Sequence, residues 1–191
     1  MKELFLIIFS AAFVNNYVLT KTLGICPFLG VSKKFNQALG MGVAVTFVMV
    51  LATAATWPIY TYLLLPNGLG YLQTIAFILV IATLVQFVEI LLKRFIPSLH
   101  GSLGVYLPLI TTNCAVLDVA ISNIASKYTM LSSLANAFGG GVGFLLAMIL
   151  FAGVRSRIEG NDGVPKAFKG LPITLVAAAI VSLSFLAFSL K

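Results

Sequence analysis

Long apolar stretches alternate with short polar connections along the whole chain. Each stretch contains about 20 mainly apolar residues, the length that an α-helix needs to cross the hydrocarbon core of a bilayer. The pattern predicts six transmembrane helices, at Leu4–Ile25, Ala38–Leu65, Tyr71–Leu92, Leu103–Ile124, Leu131–Val154 and Leu171–Leu190. We therefore expect an all-α integral membrane protein in which residues 1–191 form a single membrane domain.

Composition agrees with this prediction. Of the 191 residues, 60% are hydrophobic and only 9% are charged, whereas a soluble domain has about 25% charged residues. The short connections leave no room for a soluble catalytic domain, so nucleotide or flavin chemistry in water would belong to partner proteins. The first apolar run lacks a small-x-small cleavage site, and we expect it to be retained as a helix rather than removed as a signal peptide.

The basic residues indicate topology rather than nucleic-acid binding. The formal net charge is +7, but the basic residues are not clustered as in a groove-binding patch. Cytoplasmic loops are rich in Lys and Arg, and the first, third and fifth connections contain Lys33, Lys34, Lys93, Arg94, Arg155, Arg157, Lys166 and Lys169. The other side has only Lys2, Lys127 and Lys191. Both termini are therefore predicted to lie outside the cytoplasm.

The only two cysteines each occur where an apolar run is interrupted. Pro27 follows Cys26 and is expected to break the first helix, because proline lacks an N–H group. Pro108 and the polar residues Thr111–Asn113 precede Cys114 and are expected to break the fourth. The thiols could be buried apolar groups, a disulfide or metal ligands. A typical iron–sulfur cluster needs four thiolates, so a cluster here would require a second protein chain, and His100 is expected to be a surface residue.

The two halves of the chain resemble each other when they are aligned on the cysteines. Leu19, Cys26 and Leu29 then match Leu107, Cys114 and Leu117, and Ala38–Val43 resembles Ala137–Val142. The match predicts two three-helix repeats, about 1–95 and 96–191. Because three is an odd number of spans, the repeats must be inverted. Inverted repeats place broken helices near the membrane midplane, so spans 1 and 4 should bring Cys26 and Cys114 together.

Three segments resemble the family of the A component of the Rnf complex, the ion-translocating ferredoxin:NAD oxidoreductase of bacteria and some archaea. They are Asn15–Leu19 (NNYVL), Leu23–Ser32 (LGICPFLGVS) and Leu107–Ala115 (LPLITTNCA). The family is related to the E component of the sodium-pumping NADH:quinone oxidoreductase. Cys26–Gly30 and Thr112 are more similar to the Rnf version.

The resemblance implies a role for both thiols. In that family, the A component and its paralogue, the six-helix E component, each contribute two cysteines to one 2Fe–2S cluster between them. Cys26 and Cys114 would be the iron ligands of this chain, and Gly24, Pro27, Thr112 and Asn113 would surround them. The cluster would relay electrons across the cytoplasmic membrane in a complex with the Rnf components B, C, D, E and G. No residue is expected to act as a catalytic acid, base or nucleophile, so activity would require the complex.

Polar residues inside the apolar runs are candidates for an ion path, because charge at bilayer depth is costly. The candidates are Asp118, Asn15, Asn16 and Glu89. Asp118 could instead lie near the outer surface, and Glu89 could form a helical ion pair with Lys93. Lys21 is expected to extend to the interface or to pair with an acid of a partner protein.

Three functions fit these observations. The leading hypothesis is a redox membrane protein that couples electron transfer to Na⁺ or H⁺ transport within a complex. A small secondary transporter is the first alternative, because many carriers share inverted repeats with broken helices. A structural membrane anchor without a cofactor is the second.

The predicted sidedness can be tested with a reporter fused after Lys191. An alkaline phosphatase fusion should be active and a green fluorescent protein fusion dark, because only the former folds outside the cytoplasm. A reporter that is active only in the cytoplasm would contradict the charge-based topology.

Overall fold

The computed structural model describes residues 2–31, 35–95, 109–110, 112–159 and 170–189. All regular structure in these ranges is helical. Seven α-helices occur there: α1 Lys2–Phe9, α2 Ile25–Val31, α3 Phe35–Ile59, α4 Gln73–Phe95, α5 Cys114–Ala125, α6 Met130–Glu159 and α7 Leu171–Ser189. Three short helical segments adjoin them: the π-helices Ser10–Val14 and Tyr60–Leu64 and the 3₁₀ turn Gly70–Leu72.

Within the described ranges, three helices are long and apolar enough to cross a membrane: Gln37–Leu64, Gly70–Ile90 and Met130–Ile158. They coincide with the second, third and fifth predicted runs. Two shorter apolar helices, Cys114–Ala125 and Leu171–Leu186, fall in the fourth and sixth runs. The prediction of an all-helical membrane protein is confirmed. The beginning of the fourth run, with Pro108, lies outside the described residues, and so does His100 in the connection before it.

The antiparallel pair α3 and α6 forms the core. A Cβ added at Gly141 would lie 2.8 Å from the Cα of Thr46, and one added at Gly42 would lie 3.1 Å from the Cα of Leu145. Residue numbers rise along one helix as they fall along the other, so the two helices run in opposite directions. Small residues allow membrane helices to approach this closely. The glycine runs therefore serve packing.

Helix α6 also packs against the first helix through a second glycine face. A Cβ at Gly139 would lie 2.9 Å from the Cα of Ile8, and one at Gly143 would lie 3.1 Å from the Cα of Ala12. Here the residue numbers rise together, so α1 and α6 run in the same direction. Helix α6 is thus the central element on which the two halves of the chain pack.

Substitution of Gly141 should test this packing. Gly141→Ala places a methyl group against the backbone of α3, and overpacking of this kind costs about 1–3 kcal/mol. Gly153 lies in the same helix with nothing within 4 Å of its added Cβ, so Gly153→Ala is the matched control. We expect a lower midpoint of thermal unfolding for Gly141→Ala only, measured on the purified protein or its complex in detergent. Equal midpoints would contradict the proposed importance of the close contact.

Candidate functional site

The first predicted span is interrupted between Val14 and Ile25. Asn16 organises the interruption: its Oδ1 accepts hydrogen bonds from the N–H groups of Val18 (3.0 Å) and Leu19 (3.3 Å). Its Nδ2 donates to the carbonyl oxygens of Ala12 (3.1 Å) and Gly143 (2.9 Å). The side chain is only 1% exposed. Non-helical backbone at membrane depth needs such replacement partners, and Asn16 supplies them.

The first span is broken next to Cys26, as expected, but Pro27 does not cause the break. Pro27 is the third residue of α2 and is buried, a position where the missing N–H group has no helical partner to lose. The expectation that Pro27 breaks the helix is therefore wrong. The chain instead turns before Cys26, with positive φ at Thr22 (54°) and Gly24 (77°). Glycine takes this conformation without steric cost.

The second interruption lies immediately before Cys114. Asn113 has extended backbone (φ −73°, ψ 111°) and caps α5, because its Oδ1 accepts a hydrogen bond from the N–H of Ala115 at 3.0 Å. Cys114 is the first residue of α5. Thr112 lies in the exposed turn just before the cap. Pro108 and Thr111, the other expected breakers, lie outside the described residues.

The two interruptions are in contact. The backbone N–H of Gly24 donates a hydrogen bond to Sγ of Cys114 at 3.2 Å. A Cβ added at Gly24 would lie 3.0 Å from both Asn113 Oδ1 and Phe144 Cε2. The turn that leads into Cys26 therefore packs directly on the first turn of α5. The structure thus brings the two cysteine segments into contact.

Both cysteines are free and exposed. The N–H of Gly24 donates a hydrogen bond to Sγ of one of them, Cys114. Where the structure describes side chains, no group of three or more His, Cys, Asp or Glu could hold a metal ion. Two exposed thiols, one of which accepts an N–H hydrogen bond, match two of the four ligands of a tetrathiolate iron–sulfur site. The other ligands would have to approach from a partner on the exposed face.

An ion pair links the same two segments. Nζ of Lys21 lies 2.7 Å from Oδ2 of Asp118, and the two side chains are 43% and 28% exposed. Lys21 also lies 4.9 Å above the ring centre of Tyr17. Asp118 is one helical turn beyond Cys114. The expectation that Lys21 pairs with an acid of a partner protein is therefore wrong, since its acid belongs to this chain.

A cavity of about 450 Å³ opens beside this ion pair. Its polar lining comes from the first interruption, the end of α5, the following turn and α6: Ser10, Asn15, Tyr17, Lys21, Ser122, Ser126, Tyr128 and Asn136. Asn136 donates hydrogen bonds to Tyr17 (3.1 Å) and to Asn123 (2.8 Å). The lining thus continues inward as a buried polar network.

The predicted ion-path residues have different positions relative to this cavity. Asn15 lines it and donates to Ser10 Oγ at 3.3 Å. Asp118 is not part of the lining, but it forms an ion pair with Lys21, which is. Asn16 is not part of the lining and uses its amide on the backbone. Glu89 is half-buried in α4 and is also not part of the lining; the side chain of Lys93, its expected partner, lies outside the described residues.

Arg155 has a role that could not be foreseen from the sequence, which places it in a cytoplasmic connection. The residue is only 5% exposed, and its Nη1 donates a hydrogen bond to the carbonyl oxygen of Leu29 at 2.6 Å. Arg155 therefore joins the end of α6 to α2, the helix of Cys26. The only signal in the sequence was its position next to the apolar run that ends at Val154.

The fold and this site define a helical, multi-pass membrane protein with a cysteine pair at the junction of two broken helices. Residues 4–191 match the family described as "Rnf-Nqr subunit, membrane protein". The chain belongs to the Rnf-Nqr family.

Relatives in this family are similar over nearly their whole length. The chain is 57% identical, over 97% of its residues and 96% of the relative, to the A component of the Na(+)-translocating ferredoxin:NAD(+) oxidoreductase complex of Acetobacterium woodii. It is 56% identical to the A component of the ion-translocating oxidoreductase complex of Syntrophotalea carbinolica, over 99% and 97% of the two chains. The corresponding protein of Azoarcus sp. is 50% identical over the same shares.

Gly24→Ala should disturb the contact between the two cysteine segments. A methyl group there meets Asn113 and Phe144 and also strains a left-handed backbone, which alone costs about 1–2 kcal/mol. Gly68 has a similar φ of 65° with nothing within 4 Å of its added Cβ, so Gly68→Ala controls for backbone strain. In a Cys26→Ala background, Gly24→Ala should change the rate at which maleimide labels Cys114, and Gly68→Ala should not. Identical rates in all three proteins would argue against the contact.

Proposed function

We propose that this chain is a membrane component of an ion-translocating oxidoreductase complex. In this proposal it relays single electrons through a 2Fe–2S cluster shared with the paralogous E component. The names of its relatives support the complex, since they describe the A component of such assemblies. The observation that best supports a cluster is the hydrogen bond from the N–H of Gly24 to Sγ of Cys114. It brings together two segments that are far apart in sequence and each contain an exposed cysteine.

Cys26 and Cys114 would hold the cluster from this side, and two thiolates of the paralogue would complete it. The bound cluster would supply one-electron acceptance and release. This chain would orient the two thiols at the starts of two helices and would donate the Gly24 N–H to sulfur. The buried residues Pro27 and Asn113 lie next to the cysteines in the chain. Hydrogen bonds to sulfur and burial both set the potential of such centres.

We further propose that the chain consists of two inverted three-helix repeats, about 1–95 and 96–191. Pairs of contacts support this arrangement. A shift of 88 residues takes Lys21 to Leu109 and Gly30 to Asp118. Exchanging the two repeats therefore turns the contact Lys21–Asp118 into the contact Leu109–Gly30, and both contacts occur. A second set, Gly42–Leu145 and Thr46–Gly141, is exchanged in the same way by a shift of 99. A two-fold axis in the membrane plane produces such reciprocal pairs.

Bilayer dimensions explain why such a relay would be useful. The hydrocarbon core is about 30 Å thick, and a cluster near its midplane divides the distance that an electron must cross. We expect no residue of this chain to act as a catalytic acid, base or nucleophile, so the reaction would belong to the cofactors. The Rnf components B, C, D and G would supply the electron donors and acceptors, and both termini would lie outside the cytoplasm.

We propose that the transported ion passes through the cavity beside Lys21 and Asp118, close to the cysteine site. Asp118 and Asn15 offer oxygen ligands, and the carboxylate lies one turn from a cluster ligand. A negative charge added at the cluster would act on the ion pair through a medium of low dielectric constant. Relatives include a Na⁺-translocating complex, so Na⁺ or H⁺ is the proposed cargo.

Replacing either cysteine with alanine should remove the cluster. We expect Cys26→Ala and Cys114→Ala complexes to lose the iron and the electron paramagnetic resonance signal of this centre, together with turnover, while the other components still co-purify. Unchanged turnover in either variant would reduce the thiols to packing groups and favour a secondary transporter or an anchor.

Neutralising Asp118 should uncouple ion movement from electron transfer. In proteoliposomes containing the whole complex, Asp118→Asn should lose ion uptake per electron and retain the cluster signal. This change leaves Lys21 unpaired, so the double variant Lys21→Gln/Asp118→Asn is the control. The double variant should still lack ion uptake if the carboxylate binds the ion. Glu89→Gln should keep uptake. Recovery in the double variant would show that Asp118 only neutralises Lys21.

A further inference from the structure

Arg155 is a charged residue that is buried at the end of an otherwise apolar helix. It is 5% exposed, whereas Arg157, two residues further along α6, is exposed. Burial of a charge is costly unless the charge is paired or hydrogen-bonded. An arginine near the end of a membrane helix can avoid that cost by extending to the interface. The burial of Arg155 therefore indicates that its guanidinium is held by a partner inside the protein.

One such partner is a carbonyl group near the end of α2. Nη1 of Arg155 donates a hydrogen bond to the carbonyl oxygen of Leu29 at 2.6 Å. Helix α2 ends at Val31, and the last four carbonyl groups of an α-helix have no N–H partner within the helix. Hydrogen bonds from a charged donor are stronger than neutral ones. Arg155 thus satisfies a group that α2 cannot satisfy itself, and it joins the end of α2 to α6.

This hydrogen bond lies within one helical turn of Cys26. Leu29 follows Cys26 by three residues, a separation of about 4.5 Å along the axis of a helix. On the other side of Cys26, the N–H of Gly24 donates to Sγ of Cys114. Cys26 therefore lies between two attachment points, one on α5 and one on α6. A helix of seven residues has little stability of its own, so its position depends on such attachments.

The corresponding residues of the second half are bonded differently. The shift of 88 takes Leu29 to Leu117, which lies inside α5, where the helix supplies the N–H partner for a carbonyl group. The shift of 99 that relates contacts of α3 and α6 takes Thr56 to Arg155. The hydroxyl of Thr56 donates to the carbonyl oxygen of Ala52 in its own helix at 2.8 Å. The arginine thus occurs in the half where the cysteine helix is short and its end needs a donor from another helix.

We propose, resting on the proposed function, that Arg155 is a positioning residue for the cysteine site. Its guanidinium fixes the end of α2 and thereby holds Cys26 where it can bind the same ligand as Cys114. Arg155 acts through the backbone of α2 rather than on the thiol. Its loss should therefore loosen Cys26 while the packing of α6 persists.

The first test measures the mobility of Cys26 in the full-length protein in detergent. A nitroxide spin label is attached to Cys26 in a Cys114→Ala background, and Arg155→Met removes the donors while keeping an apolar side chain. We expect a narrower electron paramagnetic resonance spectrum, because α2 loses one of its two attachments. Arg155→Gln should act in the same way, since its amide is too short to replace the guanidinium, and it serves as the second variant if Arg155→Met does not fold. Arg155→Lys keeps a charged donor and should restore most of the wild-type spectrum.

Two controls separate positioning from a general loosening of the fold. Arg157→Met removes an exposed arginine of the same helix and should leave the spectrum of the label on Cys26 unchanged. A label on Leu150→Cys, an exposed position of α6, in a chain without the native cysteines should give the same spectrum with and without Arg155→Met. A wild-type spectrum at Cys26 in Arg155→Met, or an equal increase in mobility at both label positions, would overturn the proposal.

The second test measures iron in the whole purified complex. Arg155→Met should lower the iron content of this site and the intensity of its paramagnetic signal, Arg155→Lys should restore both, and Arg157→Met should change neither. Unchanged iron in Arg155→Met would overturn the proposal. If the wild-type complex contains no iron at this site, the proposed function fails, whereas the spin-label spectra still decide whether Arg155 positions Cys26. The two failures are therefore distinguishable.

Discussion

Every backbone N–H and C=O group at bilayer depth needs a partner, since lipid offers none. This constraint governs the structure around both cysteines. A helix satisfies its own backbone, so a break is tolerated only where side chains replace the lost bonds. Asn16 does so in the first half with four hydrogen bonds, and Asn113 does so in the second by capping α5. The two asparagines make it possible to hold cysteines on broken helices inside a membrane protein.

Helix α6 then brings the two breaks together. Its glycine faces admit α1 on one side and α3 on the other, and Asn16 is itself bonded to the carbonyl oxygen of Gly143 in α6. At the end of the same helix, Arg155 holds the carbonyl oxygen of Leu29 in α2. The position of Cys26 relative to Cys114 therefore depends on close packing far from either thiol. Disturbing one of the packed glycines, Gly139, Gly141 or Gly143, is expected to affect the site as well as stability.

The long, uninterrupted apolar runs could be predicted from sequence because length and hydropathy alone decide whether a helix can span a bilayer. The family followed from local motifs. The cause of the first break did not. Proline at the start of a helix is harmless, and the turn instead depends on Asn16, whose partner Gly143 is remote in sequence. The pairing of Lys21 with Asp118 and the burial of Arg155 were missed for the same reason, since both rest on contacts between distant segments.

We propose that the two exposed thiols form half of a site that exists only at an interface. The sharpest test is the iron content and visible absorption spectrum of this protein purified alone and together with its paralogue. We expect an iron–sulfur spectrum for the pair and none for the single protein. An iron-free pair within a complex that retains full electron transfer would contradict it.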